Sequence, residues 1–186
     1  MILPVYVFGQ PLLRRQGRFI KKEEMPEIRE FVENMWETMY SSHGVGLASH
    51  QVGRDLKLFI MDSLQVQKDM ELETAFKKVF INAEKIEESG DLWTFEEGCL
   101  SFPDMRANVD RPEKITLRYR DIDFKEHIET FDGFNARVIQ HEYDHTMGKL
   151  FIDKFKPLKK RMLTKKLEKI KNGDIDAGYP IRVYRK

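Results

Sequence analysis

The chain has 186 residues, 41% of them hydrophobic and 34% charged, and a formal net charge of +1. That length suits one domain over residues 1–186 with a sizeable core, and the composition excludes a disordered chain. The near-neutral balance excludes a global affinity for polyanions, so any nucleic-acid or membrane contact must come from a local patch.

The opening run Ile2 to Phe8 is apolar, but Pro4 interrupts it and Gly9-Gln10-Pro11 ends it. It is too short to cross a bilayer and lacks the basic start of a signal peptide, so a cytoplasmic protein is expected. A helix is predicted from about Pro26 to Tyr40. Ile28, Phe31, Val32, Met35, Trp36 and Met39 recur at helical spacing, Pro26 suits a first helical position, and His43-Gly44 ends the pattern. Gly44 to Gly53 reads as a glycine-punctuated loop, Leu56 to Met61 as a strand, Gln65 to Lys78 as a flexible polar excursion, and Val79 to Ile86 as a second strand.

Cys99 is the single cysteine, so no intrachain disulfide forms. Ile115, Leu117 and Tyr119 alternate with Thr116, Arg118 and Arg120, as in a half-buried strand; a turn at Asp121-Ile122-Asp123 leads to a hairpin partner, Lys125 to Phe131. Asp132 is placed as the N-cap of a helix to about Met147, with Gly148 as its stop. A basic helix from Pro157 to Lys171 and a short strand near Ile181 to Tyr184 complete the chain. The fold class is α+β: mainly antiparallel sheet around a central helix, with a C-terminal helix and a short terminal strand.

The central helix carries the chemistry. His141 and His145 stand at i and i+4, one turn apart on one face, close enough to share an ion. Phe134 and Val138 precede them at helical spacing, so the histidines continue an inward stripe, where uncompensated imidazoles would be costly. Glu142 lies beside them and can take a proton from an activated water. A catalytic site needs a third protein ligand. The position used by one extension of this motif is Phe151, which cannot bind metal, and Glu168 lies among lysines. Cys99, in Glu97-Gly98-Cys99-Leu100-Ser101, is the better candidate: a thiolate is a strong ligand, and Gly98 lets the backbone approach the helix.

Three segments, in order, resemble the peptide deformylase family. They are Gly44-Val45-Gly46-Leu47-Ala48-Ser49-His50-Gln51, Glu97 to Ser101, and Gln140-His141-Glu142-Tyr143-Asp144-His145. The likeness includes Gly9 to Arg14 and Asp132 to Asp153, so it spans nearly the whole chain. The departures are Ser49 for alanine, and His50 and Thr146 where proline and a larger aliphatic residue are common.

The resemblance implies a metal-dependent hydrolase that releases formate from N-formylmethionyl nascent peptides. It gives Cys99, His141 and His145 one divalent ion, Fe(II) ahead of Zn or Ni, and makes Glu142 the base. The Gln51 amide and the Leu100 N–H meet the oxyanion. Gly44, Val45 and Gly46 pair with the peptide backbone, and Glu97 and Gly98 belong with these substrate-binding residues. Phe95, Arg106, Phe134 and Val138 surround the methionine side chain. His50, on the opposite side of an extended loop from Gln51, is expected to take no direct part.

Two rival readings are a zinc endopeptidase on the same helix, with Glu168 as a ligand, and a non-catalytic relative that holds peptide or ribosome. Intact Glu142 and Gln51 argue against the second. From Lys154 to Lys171 there are nine lysines or arginines and one acid, Glu168. Leu158, Met162, Leu163, Leu167 and Ile170 give the segment an apolar side. It reads first as a docked helix with a solvated face, and second, through the resemblance, as a ribosome contact at 157–171.

Overall fold

A computed structural model describes residues 1–185. In chain order it contains Val5–Tyr6 (β1), Met25–Ser41 (α1), Gly46–Ala48 (β2), Leu58–Asp62 (β3), Lys77–Gly98 (β4), Arg106–Arg120 (β5), Glu126–Asp132 (β6), Gly133–Thr146 (α2), Pro157–Asn172 (α3) and Ile181–Arg182 (β7). Strands β2-β3-β4-β5-β6 form one antiparallel sheet in that order, while β1 pairs with β7 in parallel. The architecture is the expected α+β, and among the described residues no helix is long and apolar enough to cross a membrane.

Strand β3 is apolar at every inner position because both of its faces are covered. Leu58 and Ile60 join Leu47 against the α1 stripe of Ile28, Phe31, Val32, Met35, Trp36 and Met39. Phe59 and Met61 point to the other side, with Phe80, Ile115, Leu117, Ala136 and Ile139. The sheet is thus held between α1 and α2, and α2 lies against β2, β3 and β5. A third cluster gathers Phe102, Phe151, Phe155 and Ile170, with Leu163 and Leu167 packed on it.

Several expectations change. The segment predicted as a loop at Gly44–Gly53 contains strand β2 and a 3-10 turn over Ser49–Val52. The polar stretch 65–76 is tied down rather than loose: Gln65 Nε2 donates to Gly44 O at 2.8 Å, and Ser63 and Phe76 bond each other through Ser63 N to Phe76 O (2.9 Å) and Phe76 N to Ser63 Oγ (3.1 Å). The strand expected to stop at Ile86 runs to Gly98, and β5 starts at Arg106 rather than Ile115. Register shifts between Ile81 and Glu84, Lys85 and Glu87, and Ser89 and Leu92 break the alternation that sequence reading relies on.

Helix α2 matches its prediction closely, although the Asp132 side chain makes no capping bond. Gly148 stops it with φ +69°, where a Cβ would lie 2.5 Å from Arg14 O. In α3 the packed stripe is Leu163, Leu167 and Ile170, while Leu158 and Met162 are 71% and 76% exposed. At 100° per residue these two lie roughly 130° around the helix from that stripe, so they are not part of its buried side.

Candidate metal centre and substrate cleft

The β4–β5 hairpin ends its ladder at Gly98 and Arg106, and Cys99 follows at the start of the connecting turn. That placement brings the thiol to the inner face of α2. Candidate ligand atoms of Cys99, His141 and His145 all lie within 4.8 Å of one another, with Cys99 Sγ 3.3 Å from His145 Nε2. A soft sulfur and two imidazole nitrogens around one point fit a divalent transition metal. Phe151 packs on the His141 ring at 5.8 Å between centroids, a wall rather than a ligand. Glu168 is exposed on α3 and outside the cluster, which removes the ligand required by the endopeptidase reading.

The orientation of His141 is set from behind. Its Nδ1 lies 2.9 Å from Glu97 Oε2, so a proton on Nδ1 leaves Nε2 free as a ligand. Glu97 also accepts from Arg111 Nε (2.6 Å) and Nη2 (3.1 Å), and from Arg137 Nη1 (3.0 Å). Arg111 Nη1 reaches Asp144 at 2.7 Å, while Arg137 donates to the carbonyls of Val109 (2.9 Å) and Trp93 (2.6 Å). Two guanidinium groups thus face two carboxylates. Burial alone would raise the Glu97 pKa, but hydrogen bonds from His141 and Arg111 outweigh it and hold the carboxyl far below its usual range. Glu97 was expected among the substrate contacts. It borders the cleft, but its carboxylate is committed to His141 and the two arginines. Burial and then the neighbouring His141 push the His145 pKa well down, which favours the neutral form that binds metal.

Glu142 is 5% exposed and its Oε2 has no hydrogen-bond partner among the described residues. Burial raises its pKa to about 7, with the charge of His141 opposing. A Cβ on Gly46 would come within 2.7 Å of Glu142 Oε1, so this glycine is what lets β2 lie against the carboxylate. Gln51 Oε1 accepts from Ala48 N at 2.9 Å, which aims Nε2 at Ser101 Oγ (3.3 Å) and Cys99 Sγ (3.6 Å). Leu100, next to Cys99, has an N–H with no acceptor among the described residues.

The cleft encloses about 700 Å³, and Gly44, Val45, Gly46, Phe95, Gly98, Arg106, Phe134 and Val138 all border it, as do Gln51, Cys99, Leu100, His141 and Glu142. Phe95 and Phe134 meet edge-on at 5.9 Å. Strand β2 is an outer strand of the sheet, so one of its edges is free to pair with an extended peptide. His50 is fully buried and absent from the cleft wall, as expected, although it sits in a 3-10 turn rather than an extended loop. Ser49 turns its hydroxyl to Leu56 O at 2.8 Å, away from the cleft. Sequence reading gave no role to Arg111, Arg137, Asp144 or Tyr179. Arg137 stands four residues before His141, on the same inward helix face, and could have been found that way.

A family model described as Polypeptide deformylase matches residues 2–161. A peptide deformylase of Christiangramia forsetii is 46% identical over 189 residues, covering 98% of this chain and 96% of that protein. One of Cytophaga hutchinsonii is 46% identical over 182 residues, covering 98% and 97%. A crystal structure of a peptide deformylase from Legionella pneumophila superposes with a TM-score of 0.80 at 34% identity, covering 94% of this chain and 98% of its own.

Proposed function

This chain belongs to the polypeptide deformylase family, and from that premise we propose how its site works. The protein is a hydrolase that removes the N-formyl group from nascent peptides. In our reading residues 1–186 form one catalytic domain, at work in the cytoplasm on N-formylmethionyl peptides. Cys99, His141 and His145 hold a single divalent ion, for which Fe(II) is favoured over Zn or Ni. When bound, such an ion polarises the formyl carbonyl and acidifies a water.

The peptide backbone pairs along Gly44, Val45 and Gly46, opposite Gly98. The methionine side chain enters between Phe95, Phe134 and Val138, with Arg106 at the rim. Glu142 takes the proton of the attacking water and later delivers it to the leaving amine. A pKa near 7 suits both steps at neutral pH. The Gln51 side-chain N–H and the unpaired Leu100 N–H meet the negative charge that develops on the formyl oxygen.

The observation that carries this reading is the hairpin-borne Cys99 thiol standing 3.3 Å from His145 Nε2, with Gln51 at its other side. Its test is formate release from formyl-Met peptides by the metal-loaded protein, wild type against Glu142→Ala. The variant should keep its metal and lose about 10²–10⁴-fold in kcat. A metal-loaded wild type that releases no formate refutes the reading. Metal analysis after anaerobic purification, paired with activity, tests the choice of Fe(II).

The exposed cations of α3 support a second role, contact with ribosomal RNA. Lys159 is not among them in effect, since its Nζ donates to Asn108 O at 2.7 Å and lies over Phe155. Lys160, Arg161, Lys165 and Lys169 are exposed and available.

A further inference from the structure

The turn that carries Cys99 and Leu100 is held at three consecutive carbonyls. Phe102 N donates to Cys99 O at 2.8 Å, Tyr179 Oη donates to Leu100 O at 2.8 Å, and Phe8 N donates to Ser101 O at 2.9 Å. Gln51 Nε2 adds a contact to Ser101 Oγ at 3.3 Å. The Leu100 N–H has no acceptor among the described residues, and neither do those of Cys99 and Ser101 on either side of it.

Two of these ties come from outside the hairpin and share one anchor. Phe8 belongs to the N-terminal segment, and Val5 N in that segment bonds Pro180 O at 2.8 Å, beside Tyr179. Arg182 O accepts from Val7 N and from Gln10 Nε2, both at 3.2 Å. The β1–β7 pairing therefore fixes the tail, and the tail delivers a tyrosine to the cleft wall. Tyr179 lies beyond residues 2–161, the stretch that the family model matches.

We propose that Tyr179 is a positioning residue for deformylation: its hydroxyl fixes the Leu100–Ser101 peptide unit, and through the shared Leu100 Cα this keeps the adjoining Cys99–Leu100 unit, which carries the Leu100 N–H, aimed at the oxyanion. The proposal rests on the oxyanion role given above to Gln51 and Leu100. A phenol is neutral at working pH and donates one hydrogen bond, which here is spent on a backbone oxygen. Removing it lets water solvate Leu100 O and frees the Leu100–Ser101 unit to rotate about the Leu100 Cα, which leaves the unit carrying the Leu100 N–H held only at Cys99 O. The ring stays in place in Tyr179→Phe, so the hydroxyl is tested apart from the packing.

The experiment measures kcat and KM for formyl-Met peptide on four proteins: wild type, Tyr179→Phe, Tyr184→Phe and Gln51→Ala. Rates are normalised to metal content, and melting temperatures are recorded. Tyr179→Phe should lose roughly fivefold in kcat, the worth of one ordinary hydrogen bond, with KM and melting temperature close to wild type. Tyr184→Phe, whose ring is outside the cleft, should match wild type. Gln51→Ala should lose about 100- to 1,000-fold. If Gln51→Ala loses its rate while Tyr179→Phe keeps wild-type kcat, or changes KM alone, the positioning role is overturned and the oxyanion reading stands. If Gln51→Ala keeps its rate, the oxyanion reading itself falls and takes this proposal with it.

Discussion

Glu97→Gln changes one atom and should separate metal affinity from packing. The carboxylate accepts four hydrogen bonds, two from Arg111 and one each from Arg137 and His141. An amide has one accepting end. If its oxygen stays with Arg111 Nε and Arg137 Nη1, its NH₂ faces Arg111 Nη2 and His141 Nδ1, donor against donor. His141 can escape only by accepting at Nδ1, which moves its proton to Nε2 and blocks the ligand atom. Loss of such a supporting partner costs about 10- to 100-fold in metal affinity. Stability falls as well, because Arg111 then keeps only Asp144 and Arg137 loses its paired carboxylate, and breaking a buried pair costs about 3–5 kcal/mol. For a chain of this length that is about 6–20 °C in Tm. Chelator competition with Zn or Co gives the affinity, and thermal unfolding gives the stability. A Glu97→Gln protein that binds metal as tightly as wild type would refute the link from Glu97 to His141.

His50 should leave a signature at acid pH. Burial depresses its pKa from 6.5 to about 4, and neither ring nitrogen has a partner among the described residues. The unfolded chain takes up a proton below about pH 6.5 while the folded one resists until near 4, so this contribution is full above 6.5 and lost as pH falls toward 4. The 2.5-unit gap caps it at about 3 kcal/mol. Wild type minus His50→Pro, measured by denaturant unfolding at pH 7 and pH 4.5, should shrink accordingly, and a constant difference contradicts the buried neutral ring. The pH–rate profile should be the same in both proteins, because His50 does not border the cleft. Charge reversal at Lys160, Arg161 and Lys165 should weaken ribosome binding and flatten its dependence on salt; wild-type binding indifferent to salt counts against a phosphate contact.

What was legible in the sequence followed from short-range periodicity. The α1 stripe and the His141–His145 pair repeat at helical spacing, and each is buried as that spacing requires. Gly148 marked a helix end because only a residue without a Cβ fits beside Arg14 O. Long-range pairing was much less visible. In β5, Ala107, Val109 and Arg111 alternate inward like any half-buried strand, yet an arginine at the third inward position reads as solvent-facing until Glu97 and Asp144 are seen opposite it. In β4 the bulges and the acidic, two-sided exposed middle hide a strand that ends beside the metal centre. Tyr179 reaches Leu100 across 79 positions of sequence, a distance at which no local pattern operates.

The ion cluster behind His141 poses a question of cost. Arg111 and Arg137 are 1% and 2% exposed, and desolvating them is expensive even when they are paired. An apolar core of the same volume would hold β4, β5 and α2 together without that expense, so fold stability alone does not explain the cluster. A carboxylate aimed at His141 Nδ1 does, because no hydrocarbon can fix a tautomer. The carboxylate must then be neutralised in place, and Arg137 balances the charge left over once Arg111 is shared with Asp144. Three consequences follow for Glu97→Leu and for the pair Glu97→Leu with Arg137→Leu. The single change should destabilise strongly, since Arg137 loses its counter-charge. The double change should recover part of that loss, although the carbonyls of Val109 and Trp93 forfeit their donor, giving a coupling of about 1–3 kcal/mol. Metal affinity should stay equally low in both, because neither restores an acceptor for His141. Additive stabilities would mean that charge balance is not what Arg137 supplies, and metal affinity recovering with stability would mean that the cluster serves the fold rather than the ligand.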